Sequence, residues 1–288
     1  MAGGRYCEDD IAAALKAIGV QRGDLIYMPA ALFALGRMAD TPLVEIPRCI
    51  VDVVRDVIGA EGTLTVPASF DNYARFAHTY DTKRSPVDVG QGAVSEYVAK
   101  LPEALRSYCP LNAVAGIGPL VNDICHGWTG AAYGVGSAWD RLYENDARFI
   151  CLGVAPNQTF NFLYYVQQRF GVPHLYNKVF TTPVYEEGVR VNLTITSAVR
   201  YLDSQFEIIE NTKKFEDDLR NRGLIRKAPL GRGSVYGIDS AKQLFDEAIL
   251  KLREDIYYFL EYPPKFVDGQ VSMDGPTGKM LTDKERFG

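Results

Sequence analysis

Histidine is scarce in this 288-residue chain: His78, His126 and His174 are its three copies. No two of them stand at a metal-ligand spacing, so no metal site is expected. The five cysteines, Cys7, Cys49, Cys109, Cys125 and Cys151, are an odd, scattered set without a Cys-x-x-Cys pair. That pattern implies neither a disulfide framework nor a structural zinc site, and it suits a reducing cytosol. Nowhere do about 18 apolar residues follow one another, so no membrane span is expected. The start, Met1 to Tyr6, has no apolar run of the kind a signal peptide needs. Positive charge is not in excess either: 31 basic against 36 acidic side chains leave a net charge of −5, mildly repulsive to nucleic acid. Repeats and low-complexity tracts are absent. These absences describe a cytoplasmic protein with no membrane and no nucleic-acid partner.

What is present is core-forming material, 47% hydrophobic residues, enough for one large domain or two closely packed lobes. Glu8 to Ile18 reads as an amphipathic helix capped by Asp9 or Asp10, with Ile11, Leu15 and Ile18 on one face. Leu25 to Met28 reads as a strand buried on both faces. A helix follows between Thr41 and Ile58, regular from Pro47, and then a strand from Thr63 to Pro67. Strand, helix, strand at this spacing is a crossover unit and predicts parallel pairing. The fold class is therefore α/β, with a central, mostly parallel sheet flanked by helices. Residues 69–92 form a long polar and aromatic loop of the kind that carries function. Buried strands are expected at 114–117 and 149–154, and an aromatic helix at 159–170. A one-face-wet strand follows at 191–196, then a long helix at 241–259. Residues 1–177 form the α/β core, 178–262 a smaller C-terminal α+β lobe packed on it, and 263–288 a flexible tail.

The chemistry lies in the middle of the chain. Arg106-Ser107-Tyr108-Cys109-Pro110 runs on through Asn112, Ala115 and Gly118. Gly134, Gly136, Ser137, Arg141-Leu142-Tyr143 and Leu152-Gly153-Val154 follow. This set resembles the aminoglycoside 3-N-acetyltransferase family, whose pattern reads Arg-Ser-x-His-Pro, Ala-x-Gly, Gly-x-Gly-Ser and Arg-Leu-Tyr. Ala34-Leu35-Gly36 and Ser85-Pro86 with Gly90 extend the likeness over most of the chain. The resemblance implies acyl-CoA as cosubstrate, with no permanently bound cofactor. It implies a small-molecule amine acceptor, such as an amino sugar or biosynthetic intermediate, and allows a homodimer. Pantetheine would lie along the backbone at Ala30, Ala31 and Leu32, and along Ser107, Asn112, Ala113 and Val114.

Three histidines of the family pattern are replaced. Pro29 stands for one, with alanines for the serines beside it, and Cys109 for a second. The third belongs to a Thr-x-x-His-x-x-Glu helix, where His and Glu share one face so that the acid orients the imidazole. Counting from Thr159 puts Phe162 and Tyr165 there; counting back from Gly171-Val172-Pro173 puts Tyr164 and Gln167, the register preferred here. Neither register supplies a histidine or a carboxylate.

Cys109, Tyr164 and His174 are the catalytic candidates. Cys109 is either a nucleophile or a small residue filling the space of the histidine. Tyr164 can relay a proton, and His174, where the family has tyrosine, can stand in as base. His126 looks like a helix end, where a cationic ring suits the dipole. The basic run Arg220, Arg222, Arg226, Lys227 and Arg232 reads as a phosphate seat or as a solvated face. The leading expectation is a CoA-dependent N-acyltransferase without the His/Glu dyad. The alternatives are a biosynthetic enzyme using Cys109 as nucleophile and a catalytically inactive homologue that binds a partner.

Overall fold

The structure, a computed structural model, describes residues 5–127, 129–201 and 206–266. Of the expected tail, residues 267–288 lie outside the described residues.

A seven-stranded sheet organises the molecule. Its order is β14 (Arg226–Leu230), β15 (Gly233–Ile238), β9 (Arg148–Leu152), β2 (Leu25–Tyr27), β4 (Thr63–Pro67), β7 (Val114–Ile117) and β6 (Leu105–Arg106). The expected crossover is present: β2 leads through α3 (Ile46–Ile58) to β4, and the two strands pair in parallel with Leu25 opposite Thr63. Parallel pairing is confined to this centre, where β2 also pairs with β9. Outside it every pair is antiparallel. The expectation of a mostly parallel sheet is corrected accordingly to a mixed one with a parallel centre. Connection length explains the two outermost pairs. Residues 107–113 between β6 and β7, and Gly231-Arg232 between β14 and β15, are too short for the crossover that parallel neighbours need.

Alternation along the central strands feeds two apolar layers. Ile26, Leu64, Val66, Ile150 and Leu152 face α1 (Glu8–Ala17), α3 and α5 (Ala93–Ala99), whose Ile11, Leu15, Ile50, Val54 and Val98 are fully buried. Leu25, Tyr27 and Phe149 face the other way, toward α7 (Ala138–Glu144), α8 (Phe162–Phe170) and α10 (Ala241–Glu254). The cap of α1 is Cys7, not an aspartate; Asp10 instead accepts the Cys7 N–H at 2.8 Å from three residues in, closing a capping box. The aromatic helix begins at Phe162, after a 3₁₀ turn at Pro156–Gln158. The terminal helix stops at Glu254, beyond which Phe259 and Leu260 fold back into the interior.

Three smaller sheets surround this frame. β1 (Arg5–Tyr6) pairs with β3 (Arg37–Met38). β10 (Leu175–Phe180) pairs with β13 (Ile195–Arg200), which pairs with β8 (Gly130–Ala131). β12 (Val189–Val191), β11 (Val184–Glu186) and β5 (Tyr80–Asp81) form the third. The single strand expected at 191–196 is thus the end of β12 and the start of β13. Among the described residues no helix is long and apolar enough to cross a membrane.

Candidate active site

In an α/β sheet, ligands bind beyond the carboxyl ends of parallel strands, where successive connections leave in opposite directions. Here that place lies beside β2, which has its crossover partner β4 on one side and β9 on the other. A cavity of about 240 Å³ occupies it. Tyr27, Pro29, Ala30 and Ala31 come from the end of β2, Pro67 from β4, Gly90 and Gln91 from the 69–92 loop, and Val154, Gln158, Thr159 and Asn161 from beyond β9.

The floor is backbone. Ala31 N–H donates to the Leu152 carbonyl at 2.8 Å and Leu152 N–H to the Pro29 carbonyl at 3.0 Å, extending the parallel ladder past the strand ends. Two glycines permit the fit. A Cβ on Gly92 would stand 2.7 Å from Ala30 O, and one on Gly153 would stand 2.5 Å from Ala31 O. Both also have positive φ, +85° and +71°. At 30 and 31 the serines of the family pattern are missing, but their backbone groups still line a groove.

The polar side chains here are all neutral. Tyr27 hydrogen-bonds Asn161, and burial raises its pKa. Thr159 donates to the Pro156 carbonyl at 3.1 Å and lies 3.3 Å from Cys151 Sγ, a thiol that burial pushes up to about 12. The turn that presents Gln158, Thr159 and Asn161 is clamped from α9 (Lys213–Asn221). Asn157 N–H donates to Glu216 Oε2 at 2.8 Å, and Thr212 Oγ1 donates to the Asn157 carbonyl at 2.9 Å. The Glu216 side chain is only 2% exposed and meets Arg220 at 2.6 Å. Arg220 in turn sits over the Tyr236 ring, 4.6 Å from its centroid.

Of the residues marked in the sequence, Ala30 and Ala31 line this cavity, and Leu32 begins the short helix α2 (Leu32–Leu35) beside it. The second set lies elsewhere. Ser107, Cys109 and Asn112 line a separate void of about 10 Å³, room for one water. Val114 N–H donates to Ser107 Oγ at 3.1 Å, the Val114 carbonyl accepts from Ser107 N–H, and the Ala113 carbonyl accepts from Ala68 N–H. The structure does not bring Ser107, Asn112, Ala113 and Val114 to the same cavity as Ala30 and Ala31: strand pairing takes up backbone groups of Ser107, Ala113 and Val114, and the Asn112 carbonyl accepts from Trp139 Nε1 at 2.9 Å. Cys109 is 5% exposed, and burial pushes its thiol up to about 12.

The other two catalytic candidates share a second polar cluster. The Tyr164 hydroxyl donates to Glu210, whose other oxygen lies 3.6 Å from Arg200. Burial first, then the Glu210 charge, raises the Tyr164 pKa. Its ring stacks on Tyr133 at 5.7 Å; the buried Tyr133 hydroxyl has no partner among the described residues. One turn along α8, Gln167 Oε1 accepts from His174 Nε2 at 2.8 Å. Burial, helped by Arg200, lowers the His174 pKa to about 4, so the ring is neutral. In the other register Phe162 packs in the core, and Tyr165 donates to Asp140 at 2.7 Å.

Sequence reasoning missed Thr159, Asn161, Glu210 and Glu216. The first two had a signal, since they are polar residues breaking an aromatic run; the carboxylates had none. His126 does end α6 (Val121–Cys125), but burial lowers its pKa against the pull of Glu186, 3.1 Å away. The basic run is not a phosphate seat: Arg220 meets Glu216, Arg222 meets Glu247, Arg226 meets Asp239, and Lys227 lies over Tyr236. Arg232 donates to the Phe33 carbonyl. Among the described residues no three His, Cys, Asp or Glu side chains gather to hold a metal.

Comparison with known proteins supplies the context. Residues 30–253 match the family model described as aminoglycoside 3-N-acetyltransferase. Aminoglycoside N(3)-acetyltransferase VIII of Streptomyces fradiae is 29% identical over 208 residues, covering 66% of this chain and 70% of that protein. Aminoglycoside N(3)-acetyltransferase IX of Micromonospora chalcea is 26% identical over 275 residues, covering 86% and 93%. Among solved structures, aminoglycoside acetyltransferase AAC(3)-IIb superposes with a TM-score of 0.73 at 22% identity, over 88% of this chain and 98% of that one. AAC-IIIb in a binary complex with CoASH gives 0.71 at 18%, over 90% and 100%.

Proposed function

The chain belongs to the aminoglycoside 3-N-acetyltransferase family, and from that premise we propose that it is a CoA-dependent N-acyltransferase acting on an amine acceptor such as an amino sugar. The observation that carries this reading is the cavity at the carboxyl ends of β2, β4 and β9, whose wall at Ala30 and Ala31 is held by the close approach of Gly92 and Gly153 to their carbonyls. A thioester arm held there needs no serine hydroxyls, because main-chain groups of Ala30 and Ala31 shape its path. At about 240 Å³ the cavity is a little below the ~300–1,000 Å³ usual for whole ligands, which suits the reacting ends of two substrates. The names of the relatives, and the relative solved with CoASH, point to the same chemistry.

In the reaction the acceptor nitrogen attacks the thioester carbonyl carbon. An N–C bond forms, the C–S bond breaks, the CoA thiolate departs, and the nitrogen must lose a proton. Holding the two centres together supplies much of the rate. Asn161, whose amide carries two N–H donors, is the neutral polar group at hand for the carbonyl oxygen, since the Thr159 hydroxyl already donates to Pro156. No lining side chain is charged, so the proton has no acceptor in the cavity itself. Tyr164 with Glu210, in the second polar cluster and not on the cavity wall, takes the place of the dyad through water: a water accepts the proton from the nitrogen and passes it to the phenol, which donates to the carboxylate. His174 stays neutral and holds Gln167. Cys109 is a space-filling thiol.

A second reading, a binding protein that keeps the scaffold, has one observation in its favour. The Tyr133 ring stacks on Tyr164 and makes a tilted contact with Trp139, an aromatic packing of the kind a scaffold keeps. Release of free CoA from acetyl-CoA, measured across a panel of amino sugars, separates the two. Release with any acceptor supports the transferase. Binding of acetyl-CoA without release supports the scaffold reading, and failure to bind it overturns the proposal.

A further inference from the structure

A second, larger cavity of about 550 Å³ opens on the other side of the α2 segment, between β3 and the start of α3. Its charged lining is Arg5, Arg37 and Asp40, and its apolar wall is Met38, Pro42, Leu43 and Ile46. Arg5 and Arg37 face each other in the parallel register of β1 and β3, so their side chains leave the same face of adjacent strands, about 4.8 Å apart at the backbone. Like charges directly opposite destabilise a strand pair. Neither guanidinium has a hydrogen-bond or ion-pair partner among the described residues, and Asp40 has none either. Elsewhere the basic groups of this chain are mostly neutralised, as with Arg220, Arg222 and Arg226.

We propose that this cavity is a binding site for a nucleoside phosphate. Two adjacent guanidinium forks match the oxygens of a phosphate and remove the repulsion between them. Met38 and Ile46, 5% and 4% exposed, make a firm apolar wall, and Leu43, 78% exposed, has nothing over it. A flat base laid there covers Leu43. Asp40 would repel a bare anion, yet its carboxylate accepts from a sugar hydroxyl; it selects a phosphate that carries a ribose. The volume lies within the range of small-molecule sites. The site is separate from the acyl-transfer cavity and stands whether or not that reading holds. The nucleotide has two chemical sources, a free nucleotide or the adenosine end of CoA.

The test is calorimetry on the full chain with ADP, adenosine and inorganic phosphate, comparing the unsubstituted protein with R5Q, R37Q and the double variant. Both side chains are exposed, so the variants should lose no ligand-free melting temperature, and relief of the repulsion between Arg5 and Arg37 should raise it slightly. ADP is expected to bind more tightly than phosphate or adenosine, and each substitution should weaken it roughly tenfold, as expected on losing a charge-assisted pair. Asp40→Asn should narrow the preference for ADP over phosphate. Two further titrations distinguish the sources. If CoA weakens in the variants while pantetheine does not, the nucleotide is that of CoA; if ADP alone weakens, it is a free nucleotide. Equal ADP affinity in the unsubstituted protein and the double variant, or no ADP binding at all, overturns the site. Pantetheine binding reads the acyl-transfer cavity by itself, so the two proposals fail separately.

Discussion

At Cys109 two effects oppose each other: burial raises the thiol pKa and the Leu111 N–H lowers it, and burial wins by a wide margin, leaving a value of about 12. The thiolate fraction at neutral pH is then on the order of 10⁻⁵. Cys109→Ala should therefore leave acyl transfer within about twofold, and iodoacetamide should not modify Cys109 in the folded protein at pH 7. Rapid alkylation with loss of turnover would revive the nucleophile. Tyr164 carries the opposite expectation. Tyr164→Phe keeps the stack on Tyr133 but removes the relay, and should lower kcat by about 10²-fold, a typical general-base contribution, with acetyl-CoA affinity unchanged. His174 tests the burial argument through pH. Its folded pKa of about 4 lies below the ordinary 6.5, so between these values the unfolded chain binds the extra proton. Its stabilising effect is full above pH 6.5, declines as pH falls toward 4, and totals on the order of 3 kcal/mol. Urea titrations at pH 7 and 4.5 should show that decline in the unsubstituted protein and a smaller one in His174→Gln. None of the three environments was legible in the sequence. A histidine count reveals a missing base, but not that Tyr164 would find Glu210 across the fold, 46 residues away.

The turn Pro156–Gln158 shows what elements contribute. Glu216 is a buried carboxylate with one oxygen on Arg220 and the other on the Asn157 N–H, so removing it strands both a guanidinium and a backbone donor. Breaking a buried pair of this kind costs about 3–5 kcal/mol. Glu216→Ala should lose stability of that order in urea, and hydrogen exchange at residues 156–161 should rise ahead of the strands. Were the turn only a structural link, acetyl-CoA affinity measured well below the melting temperature would stay the same. It should instead weaken severalfold, because Thr159 and Asn161 are held by this clamp. Elements formed by local pattern were readable: α3 from its apolar face and Gly59, β2 and β4 from their unbroken hydrophobic runs, and the crossover from their order. The clamp was not, since Asn157 and Glu216 are 59 residues apart and the run around Arg220 looked like a bare basic face. Glu216, one helical turn before Arg220, was within reach of a linear reading, but Glu247 and Asp239, which pair with Arg222 and Arg226, come from elsewhere in the chain.

At the scale of the whole molecule, the last third of the chain finishes the sheet that the first third begins. β15 pairs antiparallel with β9, Val235 opposite Leu152 and Ile238 opposite Phe149, and β14 covers its outer edge. Composition shows a change of character near residue 178, but pairing partners are a property of three dimensions, and nothing in the sequence announces that residues 226–238 return to the central sheet. The consequence concerns separability. Without β14, β15 and α10, the β9 edge beside the cavity would be unpaired. One apolar layer would lose Leu230 and Val235, and the other Ile238, Leu244, Ala248 and Leu252, all nearly fully buried. Exposed strand edges and apolar faces of this extent favour aggregation over folding. A chain cut after Leu224 should therefore show no cooperative thermal transition and no stabilisation by acetyl-CoA. The full chain should show one transition, raised by acetyl-CoA through mass action. If residues 1–224 unfold cooperatively and still respond to acetyl-CoA, the N-terminal portion is an autonomous unit and β14–β15 an accessory edge. The joint sheet predicts the contrary, because the strand that supports Val154 and the turn beyond it depends on β15 for one of its two neighbours in the sheet.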